Sequence, residues 1–153
     1  CESQAKLIAS WMQIGFIHGV MNTDNMAISG ETIDYGPCAF LDEYNHNKVF
    51  SSIDHYGRYS YANQPKIAFW NICQFANSIL PLLNWGSKEI NFLIKQTLEI
   101  FSDSYNKYWL EGMSKKIGLK KFFPEDELLI KELLEIMHQS LLDYSFTFRL
   151  LSE

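Results

Sequence analysis

Residues 18–37, which read HGVMNTDNMAISGETIDYGP, decide more about this chain than any other stretch of similar length. Two polar segments lie in it, one ending at Asn25 and the other beginning at Asp34. The spacer between them has two short apolar runs around a Ser29-Gly30 turn, a pattern that predicts a β-hairpin. Because a hairpin brings its two ends together, we expect Asn25 to lie beside Asp34.

An Asn and an Asp on neighbouring loops are typical of a kinase-type site, where they hold magnesium against nucleotide phosphates. In the protein-kinase pattern His-Arg-Asp-x-x-x-x-Asn, the proton-accepting Asp lies two residues after the His. Here His18 is followed at that position by Val20, which cannot accept a proton. The chain therefore looks like a kinase C-terminal lobe without its usual base, and Asp24 is the nearby replacement.

Each of these residues also has a purely structural interpretation. Asp24 and Asn25 belong to an Asn-Thr-Asp-Asn segment of the kind that caps backbone groups. Asp34 belongs to a turn punctuated by Gly and Pro. The presence of both segments favours the functional interpretation for these three residues. For His18 we favour a structural role, that of holding the loop to the Asp34 turn, because no second His lies at ligand spacing.

Bulk composition narrows the class of protein. A chain of 153 residues with 47% hydrophobic and 15% aromatic content is expected to fold as one domain. Its net charge of -5 gives no general attraction to nucleic acid or to anionic membranes. No apolar run reaches the roughly 18 residues that span a bilayer. The three cysteines, Cys1, Cys38 and Cys73, fit no disulfide framework or paired zinc spacing, which predicts a reducing compartment.

Hydrophobic spacing predicts a mainly helical chain. Phe69, Trp70 and Cys73 are expected on the buried face of one helix. The predicted helices cover 3–17, begin near Pro65, Ser87 and Pro124, and cover 144–151, with an irregular segment over 35–64. With the hairpin over 26–33, the predicted architecture is mainly α with one small β-hairpin bearing the metal ligands.

Arg58 lies in the irregular segment and has two interpretations of equal weight. Its guanidinium group is suited to a phosphate or to an acidic acceptor. It is equally suited to an ion pair with Asp54 or Asp42 that would pin the segment.

Several segments spread over the chain resemble the selenoprotein O family of pseudokinase-fold protein adenylyltransferases. The most specific matches are 18–25, containing His18 and the Asn-Thr-Asp-Asn segment, and 32–37, containing Asp-Tyr-Gly-Pro. Further matches are 54–59, 63–65 and 70–71, and weaker ones are 113–119 and 143–149.

The resemblance implies an enzyme that transfers AMP from ATP to Ser, Thr or Tyr hydroxyls of protein substrates. Family members bind ATP in a flipped orientation with a divalent metal, Mg²⁺ or Mn²⁺. Carried across by motif, Asp24 is the proton acceptor, Asn25 and Asp34 are metal ligands, and Asp34 also contacts the nucleotide. The implied location is the cytoplasm of a bacterium, or the mitochondrion if the parent protein is eukaryotic.

The family's Gly-rich segment, its phosphate-binding Lys and the Glu that pairs with that Lys have no counterpart here, and neither has its cysteine- or selenocysteine-bearing C-terminal tail. We therefore interpret 1–153 as a single domain, a partial kinase-like C-lobe of a longer protein. The isolated fragment is expected to lack transferase activity. It is also expected to self-associate through exposed apolar surface.

Two alternative functions stay open on the sequence. One is a γ-phosphoryl-transferring kinase with a displaced base. The other is a non-catalytic pseudokinase scaffold whose helices bind a protein partner. Val20 at the usual base position favours the scaffold, whereas the presence of both Asn25 and Asp34 disfavours it.

Overall fold

The computed structural model describes residues 1–83, 86–121 and 123–151 and shows a mainly helical chain, as predicted. Two short strands pair antiparallel, with Phe16 opposite Phe40. The elements in this part of the chain are α1 Glu2–Ile14, β1 Phe16–Ile17, β2 Ala39–Phe40, α2 Gln64–Ile79, α3 Ser87–Lys116, α4 Asp126–Gln139 and α5 Tyr144–Leu150, with 3₁₀ turns at Thr23–Asn25, Tyr61–Asn63 and Leu80–Leu82. Within it, no helix has the length and apolarity needed to cross a membrane.

The first helix packs most extensively against α3. Its buried residues Ala5, Ile8, Ala9 and Met12 recur at helical spacing, so they form one continuous apolar face. The opposing side chains come from the other helices and include Ile67, Ala68, Ile72, Phe101, Met113, Ile130, Met137, Tyr144 and Phe148.

The end of α1 is tied to distant parts of the chain through its last carbonyl groups. The Met12 carbonyl accepts hydrogen bonds from the hydroxyls of Tyr61 and Tyr144, the latter at 2.8 Å. The Gln13 carbonyl accepts from Tyr144 at 3.1 Å and from the ammonium of Lys116. These bonds satisfy acceptors that a helix end leaves unpaired, and they fix where the chain leaves α1.

The first predicted helix extends too far, because α1 ends at Ile14 rather than at residue 17. Gly15 adopts a left-handed conformation (φ 72°), and its N–H donates to the Trp11 carbonyl. The chain then turns into β1, so Phe16 and Ile17 are strand residues.

The predicted β-hairpin over 26–33 is wrong. This segment contains only a turn, in which the N–H of Gly30 donates to the Ala27 carbonyl at 3.0 Å. Ile28 is 78% exposed and Ile33 is 38% exposed, so the apolar residues have no core face that would stabilise two strands. The small sheet forms instead from β1 and β2, which close the base of the loop that contains the predicted ligands.

The buried face of α2 also differs from the prediction. Trp70 is 42% exposed, and Phe69 and Cys73 are only partly buried. The fully packed face instead includes the polar residues Gln64 and Asn71. The spacing of apolar residues alone predicts the wrong buried face for α2, because buried polar side chains that bind backbone groups do not contribute to that pattern.

The resemblance to a kinase C-lobe and the single domain over 1–153 stay predictions. Positions 84, 85, 122, 152 and 153 of that range lie outside the described residues.

Candidate active site

Residues 18–38, which we call the polar loop, connect β1 to β2. His18 begins the loop and is fully buried. Its Nε2 lies 2.8 Å from the carbonyl oxygen of Ile33, and its Nδ1 lies 3.4 Å from the N–H of Val20. Since Nδ1 faces a donor, we assign the proton to Nε2, which donates to Ile33. The predicted structural role of His18, holding the loop to the Asp34 turn, is confirmed.

A glycine lets the two ends of the polar loop touch. Gly19 has a φ of 87°, and a Cβ at this position would lie 2.9 Å from both the Cγ and the carbonyl oxygen of Pro37. Any side chain would collide there, and the backbone conformation itself favours glycine. The His18 segment and the Asp-Tyr-Gly-Pro turn are therefore in direct contact at Gly19 and Pro37, although no hairpin brings them together. That Asn25 lies beside Asp34 stays a prediction.

Helix α2 holds the first half of the polar loop through two buried amide side chains. Gln64 accepts the N–H of His18 at 2.9 Å and donates to the Phe16 carbonyl at 2.9 Å. Asn71 donates to the Met21 carbonyl at 3.0 Å. Neither residue has a role among those predicted from the sequence. The available signal was an Asn and a Gln within an otherwise apolar helical pattern.

Helix α1 holds the second half of the loop. The indole N–H of Trp11 donates to the hydroxyl of Thr32 at 3.0 Å, and the side-chain amide of Gln4 donates to the Ala27 carbonyl. The Trp11 ring also stacks on His18 with centroids 5.4 Å apart. The polar loop is thus bonded to the core on both sides, which restricts the positions that the residues between these bonds can take.

Asp24 and Asn25 lie in the first half of the polar loop, in the 3₁₀ turn Thr23–Asn25. Asn25 is half-buried, and its amide nitrogen donates to the Val20 carbonyl at 3.0 Å. Its amide oxygen accepts no hydrogen bond from the described residues. Asp24 is exposed, and within the same part of the chain its carboxylate caps no backbone group. Both residues therefore present an oxygen that the fold does not use.

Asp34 is exposed and has a φ of 55°, an uncommon value for a residue other than glycine. Asp is one of the few residues that tolerate this conformation. The N–H of Gly36 donates to its backbone carbonyl at 2.8 Å, which makes a tight turn. Its carboxylate has no hydrogen-bond partner among the residues that the structure covers.

Two other aspartates have a structural role, because their carboxylates accept hydrogen bonds from backbone N–H groups. Asp54 accepts the backbone N–H groups of Arg58 and Tyr59 at 2.9 and 2.8 Å. Asp143 caps α5 by accepting the N–H of Phe146 at 2.6 Å. The carboxylates at 24 and 34 lack such bonds, which makes them available to a ligand.

Oxygen atoms of this kind suit a hard divalent cation, which prefers one or two protein carboxylates or amides together with substrate phosphates. Across residues 1–83, 86–121 and 123–151, no group of three or more His, Cys, Asp or Glu side chains is placed to hold a metal. The residues present therefore fit a metal shared with a nucleotide better than a site built from protein ligands alone.

Arg58 makes neither of the ion pairs that the sequence suggested with Asp54 or Asp42. The Asp54 carboxylate accepts the backbone N–H of Arg58 instead of its side chain. The guanidinium lies over the Trp70 ring, 4.8 Å from its centroid, and 5.7 Å from that of Tyr59.

These features define a mainly helical protein with a polar loop that is held by hydrogen bonds to α1 and α2. The loop carries side-chain oxygen atoms that accept no hydrogen bond from the described residues. The family model described as Protein adenylyltransferase SelO matches residues 1–153. The chain therefore belongs to the SelO family, which agrees with the resemblance found in its motifs.

Curated relatives carry the name Protein nucleotidyltransferase YdiU. Those of Clostridium botulinum (strain Hall) and Alkaliphilus metalliredigens are each 54% identical over 99% of this chain and 31% of their own length. That of Anoxybacillus flavithermus is 55% identical over 99% of this chain and 32% of its own length. The chain thus spans about a third of the length of the curated relatives it matches.

Proposed function

We propose that this chain supplies the catalytic-loop part of an ATP-dependent protein adenylyltransferase, which transfers AMP to Ser, Thr or Tyr hydroxyls of proteins. The family match and the names of the relatives support nucleotidyl transfer as the reaction class. One observation of the structure carries the proposal. Asp24, Asn25 and Asp34 present unused oxygen atoms on a loop that buried hydrogen bonds hold in place.

In this proposal Asp24 is the proton acceptor. Its carboxylate takes the proton of the acceptor hydroxyl while that oxygen attacks the α-phosphorus of ATP. The bond to the β-phosphate oxygen breaks, AMP becomes esterified to the protein and pyrophosphate leaves. A positioned base of this type typically contributes about 10²- to 10⁴-fold to the rate. Exposure of Asp24 suits this role, because an acceptor protein must reach it.

Asn25 and Asp34 are the proposed ligands for Mg²⁺ or Mn²⁺. The amide nitrogen of Asn25 is occupied by the Val20 carbonyl, which leaves the amide oxygen for the metal. Asp34 offers a carboxylate on a turn fixed by His18 and is also the proposed contact to the nucleotide. When bound, the cation neutralises charge on the nucleotide phosphates.

The proposal covers the parent protein, whereas the isolated chain is expected to be inactive, because the phosphate-binding Lys and Gly-rich segment have no counterpart in it. A cytoplasmic location fits the bacterial relatives and the free cysteines Cys1, Cys38 and Cys73.

A labelling experiment tests the function and its alternatives. The full-length protein is incubated with ATP tagged on the α- or the γ-phosphate, with Mg²⁺ or Mn²⁺, beside an Asp34→Asn variant. We expect α-label on protein and its loss in the variant. Transfer of γ-label alone would instead establish a kinase with a displaced base. Absence of both labels from folded, metal-supplied protein would favour the scaffold.

A further inference from the structure

A pocket with a volume of about 690 Å³ lies beside the polar loop. Val20 and Asn22 form one wall, and the segment around Arg58 together with Trp70 of α2 forms another. Asn22 is two residues before Asp24 and accepts a hydrogen bond from the hydroxyl of Tyr59 at 2.6 Å. The pocket is therefore joined directly to the segment that carries the proposed base.

Arg58 is held in this pocket by bonds on both sides of its backbone. Its N–H donates to Asp54 at 2.9 Å, and its carbonyl accepts from the side-chain amide of Asn63 at 2.6 Å. The guanidinium stacks on Trp70, which is 42% exposed. Stacking on an aromatic face leaves the edge of a guanidinium free to donate hydrogen bonds. Within the described residues this edge donates none.

The charges around the pocket favour an anion. Arg58 and Lys66 line it, together with His55 and a single carboxylate, that of Asp54. Both oxygens of Asp54 already accept backbone N–H groups, one from Arg58 and one from Tyr59. The two cations are therefore not neutralised by an ion pair in the described part of the chain.

We propose that this pocket binds an acidic side chain of the acceptor protein close to the hydroxyl that is modified, with Arg58 as the residue that recognises it. The inference rests on the proposed function, because it assigns the pocket to the acceptor of that reaction. A bidentate Arg–carboxylate contact is directional, so it would orient the acceptor segment as well as attract it.

The test measures binding separately from transfer. Two fluorescent peptides share a central Thr and differ only in that flanking Glu residues of one are Gln in the other. Their affinities for the full-length protein are measured by anisotropy at low salt. We expect the Glu peptide to bind about fivefold more tightly. In Arg58→Met, whose apolar stem can still cover Trp70, the two peptides should bind equally.

Lys107→Met is the matched control, because Lys107 also lies over an aromatic ring, that of Tyr108, but does not line the pocket. It should keep the preference for the Glu peptide. Equal binding of both peptides to the unmodified protein would overturn the inference, as would a preference that survives in Arg58→Met. Competition between ATP and the Glu peptide for Arg58 would also overturn it, by assigning the cation to the nucleotide.

This design separates the two hypotheses. If α-label is never transferred but the protein prefers the Glu peptide and this preference depends on Arg58, the proposed function fails. The pocket would then still be a site that binds acidic side chains. If α-label is transferred without any preference, the function stands and the site fails.

Discussion

The Nε2 atom of His18 lies 2.8 Å from the carbonyl oxygen of Ile33, fifteen residues further along the chain. Ile33 immediately precedes Asp34, and His18 begins the segment that leads to Asp24 and Asn25. A single buried side chain therefore couples the two segments proposed to form the site. Because His18 is itself bonded to Gln64 through its backbone, this coupling is anchored to α2.

Replacing His18 tests this anchor. His18→Phe keeps an aromatic ring against Trp11 but leaves the Ile33 carbonyl without its donor. We expect a loss of about 1–3 kcal/mol in the free energy of unfolding, measured by urea titration of the chain. Transfer activity of the full-length protein should also fall, because the Asp34 turn loses its attachment. His55→Phe, at an exposed position, is the control for stability and should leave the free energy of unfolding nearly unchanged. An equal, small effect of both variants would contradict the structural role.

Replacing Asp24 separates catalysis from stability. Asp24→Asn should lower the rate of α-label transfer by about 10²- to 10⁴-fold with an unchanged melting temperature, since the carboxylate is exposed and bonds no described residue. Asp103→Asn, on the exposed side of α3, is the matched control and should leave both quantities unchanged. Full activity in Asp24→Asn would rule out Asp24 as the base.

Two substitutions at Asp34 distinguish its carboxylate from its backbone. Asp34→Asn keeps a residue that tolerates a φ of 55°, so stability should be retained. Asp34→Ala should destabilise the chain by about 1 kcal/mol. Both variants should bind Mn²⁺ in the presence of ATP more weakly, as measured by electron paramagnetic resonance of the full-length protein. Normal Mn²⁺ binding in both would exclude Asp34 as a ligand.

Alkaline pH should unfold the chain through its buried tyrosines. Burial raises the pKa of Tyr44 to about 12 and also raises the pKa of Tyr61, Tyr105 and Tyr144 above the usual value near 10. Above pH 10 the unfolded chain releases these protons while the folded chain retains them. Ionisation of these tyrosines should therefore leave the free energy of unfolding unchanged below pH 10 and lower it above pH 10.

Urea titrations between pH 8 and 11.5 would measure this effect. Tyr144→Phe should be less stable at pH 8, because the Met12 and Gln13 carbonyls lose a donor, and should show a shallower fall at high pH. A fall equally steep in the variant would mean that Tyr144 does not contribute.

The isolated chain should self-associate through a groove of about 400 Å³ between α1, α2 and α3. Phe75, Ile79 and Leu83 line it, and Phe75 is 48% exposed. Phe75→Glu should shift the sedimentation of the chain toward the monomer. Leu128→Glu, at an exposed position outside the groove, should not. A monomer before any substitution would refute the prediction.

The sequence by itself determined the helical architecture, the two segments proposed for the site and the role of His18. Helical spacing and the motifs around Asp24 and Asp34 are local signals, readable without knowing the fold. The apolar pattern of residues 26–33 is also a local signal, and the hairpin predicted from it is wrong. Strands form there only if their apolar side chains can pack against the core, and Ile28 is exposed instead.

Only the tertiary structure decided what holds the polar loop and where Arg58 points. Gln64 and Asn71 are polar residues that an apolar count assigns to the surface, yet they are buried because distant backbone groups of the loop need their hydrogen bonds. Arg58 stacks on Trp70 rather than pairing with Asp54 because backbone N–H groups already occupy that carboxylate. Such contacts join residues far apart in the chain, so no local pattern specifies them.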